Sequence, residues 1–315
     1  MTTSGTNYRE KARPALWKSF ARSVLLVPAI NRVVVASLAA VPAAPWRSRI
    51  PVVGSAVLRL DNGAAIVMKR AERCQVAKEI HWGQGRLERA CDRLALDLAL
   101  RLSADADLFL DIGAYTGLFA LAVARRNPRV RCDAYEIVPE NYLLMVENTI
   151  QNNLVGRVHP KLLGLAAAAG TLRVPATIGA GALASSVALD SVAAEGDSTD
   201  VPIASLDELY SDFSGRMVIK IDVEGFEWEI FRGARALVDR VRPDMVCEVL
   251  RRAPNVPETQ AFLEDRGYAI YHITDQGLRL SSRIVPVKRE RDWFFTVRAP
   301  AELRALGFTV LSEAG

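Results

Sequence analysis

From residue 104 onward, short apolar runs alternate with segments in which apolar residues recur at helical spacing. Short apolar runs are typical of buried strands, and a 3.6-residue repeat is typical of amphipathic helices. The predicted strands are 108–110, 130–135, 158–165, 217–221, 245–249, 269–273 and 293–297, and the predicted helices are 118–126, 139–152, 227–241 and 258–266. This alternation predicts an α/β domain over 104–300, with a mainly parallel sheet covered by helices on both faces.

The segments around this domain have other patterns. Residues 51–103 predict a hairpin and a helix, because Asn62-Gly63 lies between two apolar runs and suits a tight hairpin turn, while 87–102 has helical spacing. Residues 176–200 are rich in Gly, Ala and Ser, and we expect loops near the site there. Residues 301–315 are predicted to form a C-terminal tail.

Composition and charge narrow the class of protein. The chain has 315 residues, 50% of them hydrophobic and 24% charged, as expected for a globular fold. Its formal net charge of +4 is unevenly divided. Residues 1–50 contain eight Lys or Arg and one Glu, a net of +7, whereas the rest contains 32 basic and 35 acidic residues. A slightly acidic body disfavours nucleic acid as a partner.

The basic N-terminal segment, residues 1–50, contains an apolar stretch. Asn31, Arg32, Pro28 and Pro42 interrupt this stretch, so we predict no membrane-spanning helix, and the long polar leader disfavours a signal peptide. Two interpretations remain open: an amphipathic helix that packs on the body, or one that rests peripherally on a membrane surface.

Four scattered cysteines form no C-x-x-C pair, which favours reduced thiols and a cytoplasmic location. The three histidines have no zinc-site spacing.

The first predicted strand of the α/β domain ends in a carboxylate followed by a glycine-containing turn, Asp111 to Gly117 (DIGAYTG). This segment differs from the G-x-G-x-x-G fingerprint of dinucleotide sites, because a carboxylate stands where a pyrophosphate would approach. A carboxylate suits a ligand with an ammonium group, and S-adenosylmethionine has an ammonium, a sulfonium and no phosphate. The alternative is an ordinary strand-to-helix turn.

Two further strand ends contain carboxylates. Glu136 lies 25 residues after Asp111, at a position where an acidic residue can accept hydrogen bonds from ribose hydroxyls. Asp222 and Glu224 follow the strand at 217–221, on one side of the extended chain. Two like charges together are unfavourable unless a cation or a shared proton compensates them, so this pair is a candidate site. The structural alternative is that such acids complement helix dipoles.

Together these motifs resemble those of FkbM-type methyltransferases. The resemblance covers roughly residues 85–275 and rests on 111–117, Glu136, 148–153, 205–209 and, above all, 220–227 (KIDVEGFE) with Arg232-Gly-Ala. It implies a class I, Rossmann-like fold: a seven-stranded, mainly parallel sheet whose last strand, here 293–297, is antiparallel, with N-terminal helical and hairpin additions. It also implies an S-adenosyl-L-methionine-dependent O-methyltransferase that acts on a hydroxyl of a sugar, glycan or secondary metabolite.

The resemblance assigns roles to individual residues. It implies that the cofactor contacts are Glu88, Asp111, Gly113, Ala114, Tyr115, Gly117, Glu136 and Asp222. Asp222 and Glu224 would face the methyl group and the acceptor. The family usually has polar residues where this chain has Ala166–Ala169, which leaves the adenine contacts unassigned.

An alcohol acceptor must lose a proton, and we predict that Glu224 or Asp222 takes it. A divalent ion held by the same carboxylates is an alternative that stays open, although no motif in the sequence indicates a metal cofactor. Two alternative functions remain. A nucleotide-dependent oxidoreductase would require a glycine-rich phosphate loop that is missing here. A membrane-associated binding protein with a degenerate methyltransferase domain would not bind S-adenosylmethionine. The oligomeric state is not predicted.

Overall fold

A nine-stranded sheet forms the centre of the fold. The structure is a computed structural model that describes residues 23–39, 50–175 and 198–313. The strands are β1 (Ala56–Arg59), β2 (Ala65–Met68), β3 (Leu108–Ile112), β4 (Arg131–Glu136), β5 (Val158–Leu162), β6 (Gly164–Leu165), β7 (Gly170–Pro175), β8 (Ser198–Ala204), β9 (Met217–Ile221), β10 (Asp244–Glu248), β11 (Ala269–Thr274), β12 (Gly277–Leu280), β13 (Asp292–Thr296) and β14 (Val310–Leu311). The helices are α1 (Pro28–Ala39), α2 (Gln75–Trp82), α3 (Ala90–Leu102), α4 (Leu118–Arg126), α5 (Pro139–Gln151), α6 (Leu206–Leu209), α7 (Glu227–Arg232), α8 (Arg235–Val241), α9 (Val256–Glu264) and α10 (Pro300–Ala305).

The central sheet has the spatial order β14-β12-β11-β13-β10-β9-β3-β4-β5. Strands β5, β4, β3, β9 and β10 run parallel to one another, whereas β13 is antiparallel to both β10 and β11. The predicted α/β class, the mainly parallel sheet and its antiparallel strand are therefore confirmed.

The predicted number of strands, seven, is wrong. After β11 the chain reverses in a turn at 275–276, and β12 pairs antiparallel with β11. Gly277, the first residue of β12, has a φ of +139°, which favours glycine. Strand β14, from the segment predicted as a tail, then pairs in parallel with β12. The two additional strands extend one edge of the sheet beyond β11.

Alternating residues of the strands point to two separate layers of helices. Phe109 and Val218 belong to a cluster that includes the β1–β2 hairpin, α3 and α4. Leu110 and Ile219, their neighbours in sequence, belong to a second cluster that includes α6 to α9. Because both faces of the sheet are covered, its strands are continuous apolar runs and do not alternate between apolar and polar residues. Such runs are typical of parallel sheets, which is why these sequences predicted one.

Two predicted elements are divided in the structure. The helix expected over 227–241 is two helices, α7 and α8. Gly233 lies between them, where a Cβ would overlap the carbonyl oxygen of Ala166. The strand expected over 158–165 leaves the central sheet after Leu162, and β6 instead pairs with β8. Strands β6, β8 and β7 make a separate three-stranded sheet.

The predicted hairpin is confirmed as β1 and β2, with Gly63 at φ +80° in the turn. It is attached to α5 by two asparagines one helical turn apart. The Asn152 side chain accepts from the Val67 N–H and donates to the Val67 carbonyl, both at 2.8 Å, and Asn148 accepts from the Lys69 N–H at 2.9 Å. These side chains bond the backbone of β2 as a neighbouring strand would.

Helix α1 lies in the basic N-terminal segment and is fixed to the body by the buried Asn31. The Asn31 amide donates to the carbonyls of Leu25 and Pro51, each at 2.8 Å, and its oxygen accepts from the Val53 N–H at 2.9 Å. No helix within the described ranges has the length and hydropathy needed to cross a membrane. Of the loops predicted at 176–200, residues 176–197 lie outside the described residues.

Candidate active site

The turn after β3 brings two strand ends into contact. Gly113 has a φ of +75°, and a Cβ on it would overlap the carbonyl oxygen of Asp222 at the end of β9. The Gly113 and Ala114 N–H groups donate to the Tyr135 carbonyl, at 3.0 and 2.8 Å. Gly117, with a φ of +89°, then begins α4. The turn therefore needs glycine at 113 and holds the ends of β3, β4 and β9 together.

Asp111 stabilises this turn from inside the protein. Its side chain is buried, and one carboxylate oxygen accepts from the Ala120 N–H in the first turn of α4 at 2.9 Å. Burial raises the pKa of Asp111 to about 7. Asp111, Ala114 and Gly117 lie outside the cavity wall described below, whereas Gly113 and Tyr115 lie in it.

Glu136 lies at the end of β4, in the cavity wall. Its side chain is buried, and one carboxylate oxygen accepts from the Val138 N–H at 2.8 Å. Burial raises the pKa of Glu136 to about 7, and the backbone N–H groups around it oppose that rise. A buried carboxylate with further acceptor capacity at a cavity wall can bind a ligand that has hydroxyl donors.

Three carboxylates, the acidic cluster, meet at the ends of β9 and β10. One oxygen each of Asp222, Glu224 and Glu248 lies within 4.8 Å of the others. Glu224 and Gly225 both have positive φ, +53° and +105°, and this turn directs the chain from β9 into α7. Burial and the charge of Asp222 raise the pKa of Glu224, and the same two causes raise that of Glu248 to about 9.

A buried lysine lies beside the acidic cluster. The Lys220 Nζ is 3.5 Å from a carboxylate oxygen of Asp222 and 3.3 Å from one of Asp292, and it lies 5.4 Å from the centre of the Phe119 ring. These carboxylates raise the pKa of Lys220 against the opposing effect of burial, so the ammonium stays charged. Lys220 therefore compensates part of the negative charge that the sequence alone left unexplained.

A cavity of about 520 Å³ joins these groups, a volume typical of small-molecule sites. Its wall has one apolar part and one charged part. The apolar part includes Ile137, Leu163, Leu165, Leu172 and Ile203. The charged part includes Glu79, Arg89, Asp92, Lys220, Asp222, Glu224, Glu248, Arg291 and Asp292.

Glu88, predicted to be a cofactor contact, is placed elsewhere. Its side chain is exposed, and its backbone N–H donates to a carboxylate oxygen of Glu79 at 3.2 Å. Glu79, on α2, lies in the cavity wall instead. Of the predicted residues, the structure thus brings together Gly113, Tyr115, Glu136, Asp222 and Glu224 in the cavity wall. It leaves Glu88 outside, like Asp111, Ala114 and Gly117.

Sequence reasoning missed several residues of the wall. Glu248 ends β10, so the strand-end rule that selected Asp111 and Glu136 would have selected it too. Asp292 begins β13, and because β13 is antiparallel to β10, Asp292 lies opposite Glu248, the last residue of β10. Glu79, Arg89 and Asp92 are on or near α2 and α3, and no local pattern distinguishes them from ordinary helix-surface charges.

A family model and a curated relative match this chain. The model of the methyltransferase FkbM domain matches residues 111–270, slightly more than half of the chain. Methyltransferase sdnD of Sordaria araneosa is 26% identical over 189 residues, which cover 51% of this chain and 73% of the relative.

Two solved structures are also similar. Methyltransferase FkbM from Methylobacillus flagellatus has 15% identity and a TM-score of 0.42, and the match covers 86% of this chain but 60% of that protein. An O-methyltransferase family protein from Burkholderia thailandensis has 12% identity and a TM-score of 0.37, with 66% and 58% covered. On the match over residues 111–270, the chain belongs to the FkbM family of methyltransferases.

Proposed function

We propose that this protein transfers the methyl group of S-adenosyl-L-methionine to a hydroxyl oxygen of a sugar, glycan or secondary metabolite. The observation that carries the proposal is the single cavity in which the Gly113 turn, Glu136 and the pair Asp222 and Glu224 meet. The Gly113 turn has no side chain in the way of a ligand that approaches the backbone closely. The buried Glu136 can accept hydrogen bonds from ribose hydroxyls, and the carboxylates of Asp222 and Glu224 attract a cationic methyl donor.

The two parts of the cavity wall suit the two parts of the cofactor. In the proposal the adenine lies against the apolar part, near Ile137, Leu163 and Leu165, and Glu136 accepts from the ribose hydroxyls. The methionine part then lies at the Gly113 turn, with the sulfonium toward the acidic cluster. This assigns adenine contacts that the sequence left open, at residues directly after β4 and β5.

Methyl transfer from a sulfonium is an in-line displacement, so the protein must align an oxygen with the S–CH₃ bond. Such alignment contributes up to about 7–11 kcal/mol to lowering a barrier. As the O–CH₃ bond forms and the C–S bond breaks, the hydroxyl proton passes to a carboxylate. Glu224 suits this role because its pKa is raised, which makes its ionised form the stronger base. Lys220 keeps Asp222 in an ion pair beside it.

The acidic cluster supplies oxygen ligands that a divalent ion would accept. Lys220, 3.5 Å from Asp222, already supplies a positive charge at this place, so the residues present do not require a metal. No step of the proposed reaction passes through one. The four cysteines are unpaired and buried, which is consistent with the proposed cytoplasmic location.

The first test measures by calorimetry whether the purified chain binds S-adenosylmethionine and NAD. The second measures transfer of a labelled methyl group to a panel of sugar, polyketide and lipid-linked acceptors. We expect binding of S-adenosylmethionine and not of NAD. Glu224→Gln should lower turnover by a factor of about 10²–10⁴ while the cofactor affinity changes little. Asp222→Asn should lower both. The exposed Glu258→Gln serves as the matched control and should leave both unchanged.

The proposal fails if the folded wild-type chain does not bind S-adenosylmethionine, or if Asp222→Asn and Glu224→Gln both keep wild-type turnover. Transfer that EDTA abolishes and Mg²⁺ restores would reassign the acidic cluster to a metal. Binding of NAD would favour the oxidoreductase alternative.

A further inference from the structure

Four exposed basic side chains lie on two loops beside the end of the cavity that contains the acidic cluster. Arg251 and Arg252 follow β10, and Lys288 and Arg289 precede β13. No hydrogen bond or ion pair in the described part of the chain uses any of these four side chains. We call these four residues the basic rim. Because their charges have no such partner within the protein, they can bind an anion from solution.

The register of the sheet puts the two loops side by side. Glu248, the last residue of β10, pairs with Asp292, the first residue of β13, and both line the cavity. One residue further on, the Val249 N–H donates to the Arg291 carbonyl at 2.9 Å. The basic rim begins three residues from these strand ends on both loops. Three residues span at most about 10 Å of extended chain, so the basic rim lies close to the cavity.

The loops of the basic rim also contact parts of the site itself. A Cβ on Gly225 would lie 3.6 Å from the Cδ of Pro254, so the loop after β10 packs against the turn that contains Glu224. On the other loop, the carbonyl of Arg289 accepts from the Arg89 guanidinium at 2.6 Å, and Arg89 lines the cavity. The basic rim is therefore next to the carboxylate that we propose as the base.

The acid beside the basic rim in sequence, Glu290, is bonded to the backbone. One of its carboxylate oxygens accepts from the Asp275 N–H at 2.8 Å, and an oxygen of Asp275 accepts from the Cys91 N–H at 2.9 Å. Among the described residues, neither acid lies within ion-pair distance of a basic side chain of the rim. The basic rim thus keeps its charge for a ligand.

The basic rim and the cavity wall have opposite formal charge. The charged part of the wall contains six carboxylates and three bases, a formal net charge of −3, whereas the four residues of the basic rim carry +4. The wall repels an anionic group and the rim attracts it. A molecule with an uncharged part that has hydroxyls and a separate anionic group is therefore oriented, with its hydroxyls in the cavity and its anion outside.

We infer that the methyl acceptor carries a phosphate group and that the basic rim binds this phosphate. This inference rests on the proposed methyl transfer, because it concerns the acceptor of that reaction. The three arginines of the basic rim can each donate two parallel hydrogen bonds to phosphate oxygens, and Lys288 adds a compact charge. The phosphate takes no part in the chemistry. Its binding holds the acceptor so that a hydroxyl points to Glu224.

The test measures by calorimetry how the full chain binds inorganic pyrophosphate, glucose 1-phosphate and the uncharged methyl glucoside, each with and without S-adenosylmethionine. We expect glucose 1-phosphate to bind at least about tenfold more tightly than methyl glucoside, because charged hydrogen bonds to phosphate are lost in the latter. Salt should weaken the binding of both phosphate ligands. The double variants Arg251→Ala with Arg252→Ala, and Lys288→Ala with Arg289→Ala, should each lose about tenfold of the affinity for pyrophosphate.

The matched control is the double variant Arg129→Ala with Arg216→Ala, which removes the same charge at two exposed positions. These arginines precede β4 and β9, so they lie at the opposite edge of the parallel strands, and the variant should bind pyrophosphate as wild type. All three double variants should keep the wild-type affinity for S-adenosylmethionine. With a phosphorylated acceptor, the two variants of the basic rim should raise KM about tenfold and leave kcat nearly unchanged.

Three results would overturn the inference: no measurable binding of pyrophosphate, equal affinities for glucose 1-phosphate and methyl glucoside, or wild-type affinity for pyrophosphate in both variants of the basic rim. Displacement of pyrophosphate by S-adenosylmethionine would also overturn it, because the phosphate would then occupy the cofactor site. A chain that binds the phosphate ligands through the basic rim but does not bind S-adenosylmethionine would instead contradict the proposed methyl transfer.

Discussion

At Gly113 the absence of a side chain determines whether two strand ends can meet. The residue has a positive φ, and a Cβ at this position would overlap the carbonyl oxygen of Asp222. Gly156 offers a natural comparison, because its φ of +85° is similar but a Cβ there would meet open space. Alanine substitutions at the two positions therefore distinguish the destabilisation that comes from the backbone angle from the destabilisation that comes from the close contact.

Gly113→Ala should lower the free energy of unfolding by about 3 kcal/mol or more, from strain and overlap together. Gly156→Ala should lower it by about 1 kcal/mol, from the backbone angle alone. Urea denaturation of both variants measures the difference. Equal losses in the two variants would show that the Asp222 carbonyl moves aside at little cost.

The strand-end rule selected residues that the structure places in one cavity wall. Glu136, Asp222 and Glu224 all line this cavity, because parallel strands end at one edge of the sheet. What the sequence could not show was Lys220 as the compensating cation, since a lysine inside a strand gives no indication of which carboxylates surround it. The exposed position of Glu88 depends on the course of the chain between α2 and α3, which no local pattern determines.

At the scale of elements, α5 takes the place of a strand beside the hairpin. Asn152 satisfies both backbone groups of Val67, and Asn148 satisfies the N–H of Lys69. Ion pairs of Glu147 with Lys69, at 2.7 Å, and with Arg70, at 2.7 Å, lie beside these hydrogen bonds at the surface. Since exposed ion pairs contribute little to the free energy of unfolding, Asn148 and Asn152 are the main polar link between the hairpin and the domain.

Asn152→Ala should therefore lower the free energy of unfolding by about 1–3 kcal/mol, because it leaves the Val67 backbone groups without these partners. Hydrogen exchange at the Val67 amide should accelerate by a larger factor than exchange in β3. Gln151→Ala, at the exposed neighbouring position, should change neither by much. If Val67 exchanged at the wild-type rate in Asn152→Ala, the hairpin would be held by its apolar contacts alone.

The predicted elements that were correct are those with a strong periodic pattern, and α4 and β9 have the predicted bounds. The strands that were missed are β7, β8, β12 and β14. Strand β14 has two residues, and β6 pairs with β8, about 40 residues away in the sequence. Such strands form because a partner edge is available in the fold, and that information is not in the local sequence.

For the molecule as a whole, buried acids give the stability a definite pH dependence. Burial raises the pKa of Asp111, Glu136 and Glu227 to about 7 in each case. The folded protein therefore holds protons on these groups at pH values where the unfolded chain has lost them. Because the folded state binds more protons, the stability that these protons provide is full below about pH 4 and is lost as the pH rises through about 7.

We accordingly expect the free energy of unfolding of the ligand-free protein to fall between pH 5 and pH 8, by an amount on the order of 3 kcal/mol for each of the three groups. Urea denaturation at several pH values measures this slope. Glu136→Gln should make it shallower, whereas the exposed Glu258→Gln should not. A free energy of unfolding that rises over the same interval would contradict the assigned direction.

The position of β13 has a consequence for how the chain can fold during synthesis. This strand, residues 292–296, is inserted between β10 and β11, and its Phe294 and Phe295 are completely buried. Until the ribosome has released them, β10 and β11 have no common neighbour and the sheet has a gap near its middle. A nascent chain that ends at residue 270, where the family match ends, therefore still exposes apolar strand edges. The central sheet can therefore close only after residue 296 has left the ribosome.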